Sequence, residues 1–261
     1  MLLYEGESYM KEFYIHDDGI RLHAKLDMPE GKETCPLLIV FHGFTGHMEE
    51  RHIMAVQQTA LEEGFATLRV ELYGHGKSDG EFKNHTFYKW VSNALTVVEY
   101  AKALPFVTDL YMTGHSQGGL LTMIIAGMRP ECLKAIIPLS PALVLPDGVR
   151  KGKILGITFD PDHIPEEVYL ENKQLHLSGN YLRIMQTIHP EDEITRYHGP
   201  VLIIHGEADE LVPLHYSVEA AEQYENCTLV TISGDTHSYE YHLEEVLRAE
   251  REFLRKMEKS K

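Results

Sequence analysis

The most informative part of this sequence reads Leu110-Tyr111-Met112-Thr113-Gly114-His115-Ser116-Gln117-Gly118-Gly119-Leu120. An apolar run ends here in the pattern Gly-x-Ser-x-Gly, and a helical pattern of apolar residues follows at once. This order is typical of a strand, a sharp turn and a helix that together lift a serine hydroxyl clear of a sheet. Gly114 and Gly118 fit such a turn because side chains there would collide where strand and helix pass closely. We therefore predict that Ser116 is a nucleophile, which requires a base, an acid and an oxyanion hole elsewhere in the chain.

Composition and charge are those of an ordinary folded protein. The 261 residues are 43% hydrophobic and 25% charged, which suits a single α/β domain over residues 1–261. A net charge of −16 would repel a polyanion, so we expect no nucleic acid partner. Cys35, Cys132 and Cys227 are scattered, which argues against a disulfide framework or a zinc site and suits a reducing compartment.

The sequence shows no recognisable targeting or membrane segment. Residues 1–7 contain neither a basic region nor a long apolar run, so we expect no signal peptide and no membrane span. The expected location is therefore the cytoplasm. The basic residues near the C-terminus, up to Lys261, are expected to form a solvated helix end.

Apolar segments and helical patterns alternate along most of the chain. Residues 11–28 alternate around Asp17-Asp18-Gly19, as two strands joined by a tight turn do. Continuous apolar runs then predict buried strands, and spaced apolar positions between them predict helices. The predicted strands cover residues 37–41, 65–72, 110–112, 135–139, 201–204 and 228–232, and the predicted helices residues 53–63, 87–104, 214–224 and 239–257. This alternation indicates an α/β fold with a mostly parallel central sheet and helices on both faces.

The alternation is interrupted after the strand at residues 135–139. Residues 142–189 contain several prolines, glycines, aromatic residues and histidines. The segment is too long for a simple loop and too short for an independent domain, so we expect an inserted lid subdomain over the active site. An irregular surface excursion without a role is the alternative.

Two further strand ends carry the other groups that an activated serine needs. In an open α/β sheet, functional groups collect at the carboxyl ends of the strands. Asp209 follows the strand at residues 201–204, and His237 follows the strand at residues 228–232. The order Ser116, Asp209, His237 is the one expected for a catalytic triad on such a sheet, with His237 as base and Asp209 as the carboxylate that orients it.

Other side chains near both positions are weaker candidates. Asp209 is preferred to Glu207 and Glu210 by position and pattern. His237 is preferred to His242 because it follows its strand directly, whereas His242 lies within the predicted last helix.

The oxyanion hole is expected to consist of two backbone N–H groups. One belongs to Gln117, directly after the nucleophile, and the other to Phe44, in the loop after the strand at residues 37–41. Such preorganised donors stabilise the transition state by about 2.7–4 kcal/mol each. His42 and His115 are expected to hold their loops by hydrogen bonds, since one imidazole base suffices.

Taken together, four motifs make the sequence resemble the α/β-hydrolase superfamily and, within it, the bacterial feruloyl (cinnamoyl) esterases. The resemblance covers nearly the whole chain, although monoacylglycerol lipases and some acyl-peptidases share most of these motifs. The motifs are His42-Gly43-Phe44-Thr45-Gly46-His47, Tyr73-Gly74-His75-Gly76-Lys77-Ser78, Gly114-His115-Ser116-Gln117-Gly118-Gly119 and Gly234-Asp235-Thr236-His237.

The resemblance implies hydrolysis of hydroxycinnamate esters, with the aromatic acyl group held beneath a small lid. In such esterases lid groups bind the ring hydroxyl of the substrate, and Asp147 and Tyr181 lie near the matching positions. Asp147 is shifted by about one residue from the expected pattern, and a surface turn at Pro146-Asp147-Gly148 accounts for it equally well. No metal or organic cofactor is implied, the partner is a small-molecule ester rather than a nucleic acid or a membrane, and a homodimer is left open.

Three other functions use similar sequence features. An esterase or lipase for glycerides or short acyl chains differs only in the lining of its pocket. A peptidase or amidase uses the same triad but usually carries a larger additional domain. A non-catalytic hydrolase-like binding module typically lacks one triad residue, whereas all three candidates are present here.

Overall fold

A mostly parallel sheet forms the centre of the protein, and the computed structural model describes residues 10–259. Within these residues the strands are β1 (Met10–Asp17), β2 (Ile20–Asp27), β3 (Cys35–Phe41), β4 (Ala66–Val70), β5 (Val107–His115), β6 (Ala135–Leu139), β7 (Lys153–Ile154), β8 (Ile157–Thr158), β9 (Glu167–Leu170), β10 (Leu175–Ser178), β11 (Val201–Gly206) and β12 (Cys227–Ile232). The helices are α1 (Arg51–Glu62), α2 (Phe87–Lys102), α3 (Gln117–Met128), α4 (Val144–Arg150), α5 (Gly179–Gln186), α6 (Pro190–Ile194), α7 (His215–Gln223) and α8 (Leu243–Lys259).

The strand order of the sheet confirms the predicted fold class. Eight strands lie in the order β1-β2-β4-β3-β5-β6-β11-β12. The pairs β1–β2 and β2–β4 are antiparallel, and the other neighbouring pairs are parallel. Asp18 and Gly19, with φ angles of 43° and 81°, make the tight turn of the predicted hairpin. The carboxyl ends of β3, β5, β6, β11 and β12 therefore lie at one edge of the sheet, where the site is expected.

The core lies on both faces of this sheet. Leu37, Ile39 and Phe41 of β3 face one apolar cluster, whereas Leu38 and Val40 face the other. Helices α2 and α3 supply the first cluster, and α1 and α8 supply the second. Because both faces are covered, β3 is buried along its whole length, which explains why it reads as a continuous apolar run.

One predicted boundary is wrong. The last helix begins at Leu243, not at residue 239, because Tyr239 has a left-handed φ of 56° and cannot lie within a helix. The carboxylate of Asp235 accepts hydrogen bonds from the N–H groups of Tyr241 and His242 and so fixes the chain just before α8. His242 thus precedes the helix rather than lying in it.

The segment between β6 and β11 has regular structure of its own. It contains α4, the antiparallel pairs β7–β8 and β9–β10, and α5. Leu177, Tyr181 and Leu182 are fully buried, so the segment is packed against the rest of the protein. That residues 142–189 act as a lid over the active site stays a prediction.

Some expectations concern parts of the chain that the structure does not reach. Residues 1–7 and Lys261, used above for the targeting and C-terminal predictions, lie outside the described residues. Between residues 10 and 259, no helix has both the length and the apolar character needed to cross a membrane.

Helix α8 carries an unusual buried carboxyl group. Glu250 is fully buried on the side of α8 that packs on the core, and neither of its side-chain oxygens has a hydrogen-bond partner. Burial raises the pKa of Glu250 well above its usual value. As pH rises through the unfolded-state pKa of about 4.3, the unfolded chain releases this proton while the folded chain retains it, so the free energy of unfolding falls with pH.

We therefore expect Glu250→Gln to stabilise the protein at pH 8 by about 1 kcal/mol or more, since each pKa unit of difference is worth about 1.4 kcal/mol. The gain should shrink toward pH 4, where Glu250 of the wild-type protein is largely protonated in the unfolded chain as well as in the folded one. Urea unfolding at both pH values measures this difference. Glu252→Gln, at an exposed position of the same helix, is the matched control. A gain independent of pH would contradict the assignment.

Candidate active site

Ser116 occupies a sharp turn between β5 and α3. Its φ and ψ angles are 56° and −118°, a conformation that L-residues rarely adopt. The N–H of Ser116 donates to the carbonyl of Leu139 at the end of β6, 2.9 Å away. A Cβ on Gly114 would lie 2.3 Å from the carbonyl oxygen of Gly118, and one on Gly118 would lie 2.4 Å from that of His42. Glycine is therefore required at both positions, as the strand–turn–helix pattern predicts.

Asp209 and His237 form a close pair at the neighbouring strand ends. Nδ1 of His237 lies 2.7 Å from Oδ2 of Asp209, although the two residues are 28 positions apart. The other oxygen, Oδ1, accepts the N–H groups of Leu211 and Val212 at 2.9 and 2.8 Å. Burial by itself raises the pKa of Asp209, but hydrogen bonds from His205 and His237 outweigh it and hold that pKa well below its usual value. The carboxylate is therefore ionised and points at the imidazole.

His115 connects the serine turn to the His237 loop. It directly precedes Ser116, and its Nε2–H donates to the carbonyl oxygen of His237 at 2.8 Å. The two imidazole rings lie 4.6 Å apart, centroid to centroid. In the part of the chain that the structure describes, Ser116 Oγ makes no hydrogen bond to His237. In enzymes without bound substrate such catalytic bonds are often long and tighten during the reaction.

The loop after β3 lies directly over the serine. A Cβ on Gly43 would come within 3.2 Å of Ser116 Cβ, so the backbone at Gly43 and Phe44 approaches the hydroxyl closely. Among residues 10–259, no backbone hydrogen bond in the loops or at the helix ends uses the N–H of Phe44 or the N–H of Gln117. Both donors predicted for the oxyanion hole thus remain available beside Ser116.

Two buried histidines hold this loop in place. Nδ1–H of His42 donates to the carbonyl of Gly43 at 2.8 Å, and Nε2 of His42 accepts the N–H of Leu72 at 3.1 Å. The Gly43 carbonyl and the Phe44 N–H belong to the same peptide group, so His42 fixes the orientation of that N–H. Nε2 of His75 lies 2.6 Å from the carbonyl of Phe44. Burial lowers the pKa of His42 well below its usual value, which keeps it neutral in this role.

The two residues predicted to bind substrate lie in different places. Tyr181 is fully buried beside Phe44, and its hydroxyl donates to Oε1 of Gln117 at 2.5 Å. Burial raises the pKa of this phenol well above its usual value, so it remains a donor. The structure thus brings Tyr181 to the residues predicted for the oxyanion hole.

Asp147 points elsewhere. Its Oδ2 accepts hydrogen bonds from Nζ of Lys151 at 2.8 Å and from the hydroxyl of Tyr216 at 2.5 Å. It lines a cavity of about 350 Å³ between α4, α6 and α7, and Ser116, Asp209 and His237 are not part of that lining. The structure therefore does not bring Asp147 together with the other predicted site residues.

Two residues near the site were not assigned a role from sequence. His205, the penultimate residue of β11, places its Nε2 3.2 Å from Oδ2 of Asp209. Asp235 holds the chain on both sides of His237, because its carboxylate accepts the N–H groups of Thr236, Tyr241 and His242. His205 lies four positions from Asp209 and Asp235 two positions from His237, but only the folded loops bring their side chains into contact with the site.

Residues 10–259 contain no group of three or more His, Cys, Asp or Glu side chains arranged to hold a metal ion. The side chains described above can support proton transfer and nucleophilic attack. A serine at a strained turn, two free N–H groups and an ionised carboxylate hydrogen-bonded to an imidazole are the parts that acyl transfer requires.

Comparisons with known proteins agree with this chemistry. Residues 32–165 match the family described as Hydrolase_4, serine aminopeptidase S33. Est1E from Butyrivibrio proteoclasticus, solved with ferulic acid bound, is 55% identical to this chain, with a TM-score of 0.92 over 94% of this chain and 98% of Est1E. The mouse α/β hydrolase domain-containing protein 10 is 18% identical and shares the fold, with a TM-score of 0.73 over 95% of this chain and 99% of the mouse chain.

A more distant curated relative is the human palmitoyl-protein thioesterase ABHD10, mitochondrial. It is 26% identical over 202 residues, which cover 74% of this chain and 63% of the human protein. This chain thus spans less than two thirds of that relative's length. The fold, the match to the family and the high identity to Est1E lead to one conclusion: the chain belongs to the α/β-hydrolase family described as Hydrolase_4, serine aminopeptidase S33.

Proposed function

We propose that this protein is a serine carboxylesterase that hydrolyses hydroxycinnamate esters of the ferulate type. The observation that carries the chemistry is the 2.7 Å hydrogen bond between His237 and Asp209, after the neighbouring strands β12 and β11, in a loop that His115 ties to the Ser116 turn. The substrate class rests on the 55% identity to Est1E, which binds ferulic acid.

The proposed reaction is acyl transfer in two steps. Nε2 of His237 takes the proton of Ser116 as its hydroxyl attacks the ester carbonyl, and the N–H groups of Phe44 and Gln117 stabilise the oxyanion. His237 then protonates the departing alcohol. Water, activated by the same imidazole, releases the acid from the acyl-enzyme. Asp209 stays ionised throughout and keeps the proton of His237 on Nδ1.

The finer parts of the assignment stay predictions. Because its hydroxyl proton goes to Gln117, Tyr181 can bind a substrate ring hydroxyl as a hydrogen-bond acceptor while that bond is kept. Asp147 would need a rearrangement, since it is bound to Lys151 and Tyr216. The cytoplasmic location and the homodimer belong to the same group of predictions.

A substrate panel tests the proposal. We expect kcat/KM for methyl ferulate to exceed that for a monoacylglycerol by about tenfold or more, since shape and polar contacts in a pocket discriminate by such factors. An aminoacyl p-nitroanilide and a palmitoyl thioester complete the panel, because the family description and the human relative name these chemistries. Preference for any of these over methyl ferulate would replace the substrate class. Failure of a fluorophosphonate to label Ser116 would point to a non-catalytic binding module.

A further inference from the structure

A second imidazole contacts the carboxylate of Asp209. His205 is fully buried, and its Nε2 lies 3.2 Å from Oδ2 of Asp209 and 2.8 Å from the carbonyl oxygen of Val212. Both neighbours are acceptors, so Nε2 must carry a proton. On the other side of the ring, Nδ1 lies 2.7 Å from the hydroxyl of Ser217 in α7.

We propose that His205 is a positioning residue for the hydrolytic reaction, because its Nε2–H donates to the carbonyl of Val212 while Nε2 lies against Oδ2 of Asp209, the oxygen that accepts the proton of His237 Nδ1. The proposal rests on the proposed function, in which His237 is the base. It adds a role for a residue that touches neither the substrate nor the reacting atoms.

The distribution of donors around Asp209 supports this role. Oδ1 is held by two backbone N–H groups, from Leu211 and Val212, which belong to the same short turn as Asp209 itself. Those bonds fix Oδ1 only, and His237, the donor to Oδ2, also lies in a loop. His205 limits the movement of Oδ2, because this residue lies in β11 and therefore belongs to the sheet rather than to a loop.

Burial makes the contact with His205 hard to replace. The side chains of both His205 and Asp209 are completely excluded from solvent, so water cannot supply the missing donor if the imidazole is removed. The Nε2–H donates its hydrogen bond to the carbonyl of Val212, and Oδ2 of Asp209 lies 3.2 Å from the same nitrogen, so one ring contacts both the carboxylate and the loop that carries it. Ser217 fixes the ring itself, which links α7 to the acid of the site.

Two amide substitutions separate this role from simple packing. In His205→Gln the side-chain amide can place an N–H near the position of Nε2 and so reach Asp209. In His205→Asn the amide ends near the position of Nδ1, so it can reach Ser217 but not Asp209. His198→Asn is the control, because His198 is exposed, pairs with Glu225 and precedes β11 at the end of that strand opposite to His205.

For His205→Asn we expect kcat for methyl ferulate to fall by about 10- to 100-fold with KM changed less than about twofold, since small displacements of catalytic groups have effects of this size. The rate of fluorophosphonate labelling of Ser116 should fall by a similar factor. The downfield proton NMR signal of the His237 Nδ1–H should weaken or disappear. His205→Gln should restore most of all three properties, and His198→Asn should leave them unchanged.

Two results would overturn the proposal. One is a folded His205→Asn variant with wild-type kcat and an unchanged NMR signal. The other is an equal loss of kcat in His205→Asn and His205→Gln. If His205→Asn does not fold, Ser217→Ala provides the test, because loss of the ring's partner should lower kcat and broaden the same signal. Wild-type values in Ser217→Ala would then also count against the role. Failure of the wild-type protein to hydrolyse any ester would reject the proposed function instead, and the NMR comparison would still report whether His205 orients Asp209.

Discussion

Replacement of Ser116 by alanine is expected to lower kcat for methyl ferulate by about a millionfold, because removal of the nucleophile abolishes the acyl-enzyme route altogether. The fold should survive. Alanine and serine both carry a Cβ, so the strain at a φ of 56° is the same in both proteins. Steady-state hydrolysis, with a parallel thermal unfolding curve, measures the effect.

Ser140→Ala is the control for this experiment. Ser140 directly follows β6 and has a positive φ of 40°, but its hydroxyl is hydrogen-bonded to Tyr239 and is fully buried. This variant should still be labelled by a fluorophosphonate, whereas Ser116→Ala should not. Substantial ester turnover by Ser116→Ala would remove the basis of the proposed function.

The second large effect is expected for Asp209→Asn, with a fall in kcat of about 10⁴-fold. The reason follows from the hydrogen bonds of the carboxylate. Oδ1 accepts two backbone N–H groups, so the amide oxygen of asparagine will take that position and its NH₂ group will replace Oδ2. The NH₂ group then donates to Nδ1 of His237. The proton of the imidazole then lies on Nε2, so Nε2 cannot accept the proton of Ser116.

Measurement of kcat between pH 6 and 9 tests this explanation, with Glu210→Gln as the control. Glu210 is adjacent in sequence but exposed, and its substitution should leave kcat within about twofold of wild type, as surface substitutions generally have small effects. If Asp209→Asn retained most of its activity, another carboxylate would have to orient His237.

Much of the fold could be predicted from the sequence because it depends on local patterns. The strands are buried on both faces and so read as continuous apolar runs, as β3 shows. The turn at Ser116 was predictable because two glycines at fixed spacing are the local requirement for the close approach of β5, α3 and the loop after β3. Asp209 and His237 could be chosen as candidates because each follows the end of a predicted strand.

Where the sequence was insufficient, contacts between distant segments decide the outcome. The start of α8 depends on the carboxylate of Asp235, which binds N–H groups six and seven positions away in an irregular turn. Asp147 reads as a surface turn or as a substrate ligand with equal ease, and only the packing of α4 against α7 shows that it binds Tyr216.

The sequence by itself therefore determined the fold class, the strained serine turn and the residues at each strand end, since these follow from periodicity and from short-range steric limits. Only the tertiary structure decided that Tyr181 donates to Gln117 and that His205 lies against Asp209. The reason is physical: the partner of a buried polar side chain is set by the packing of separate elements, which no local pattern of residues encodes.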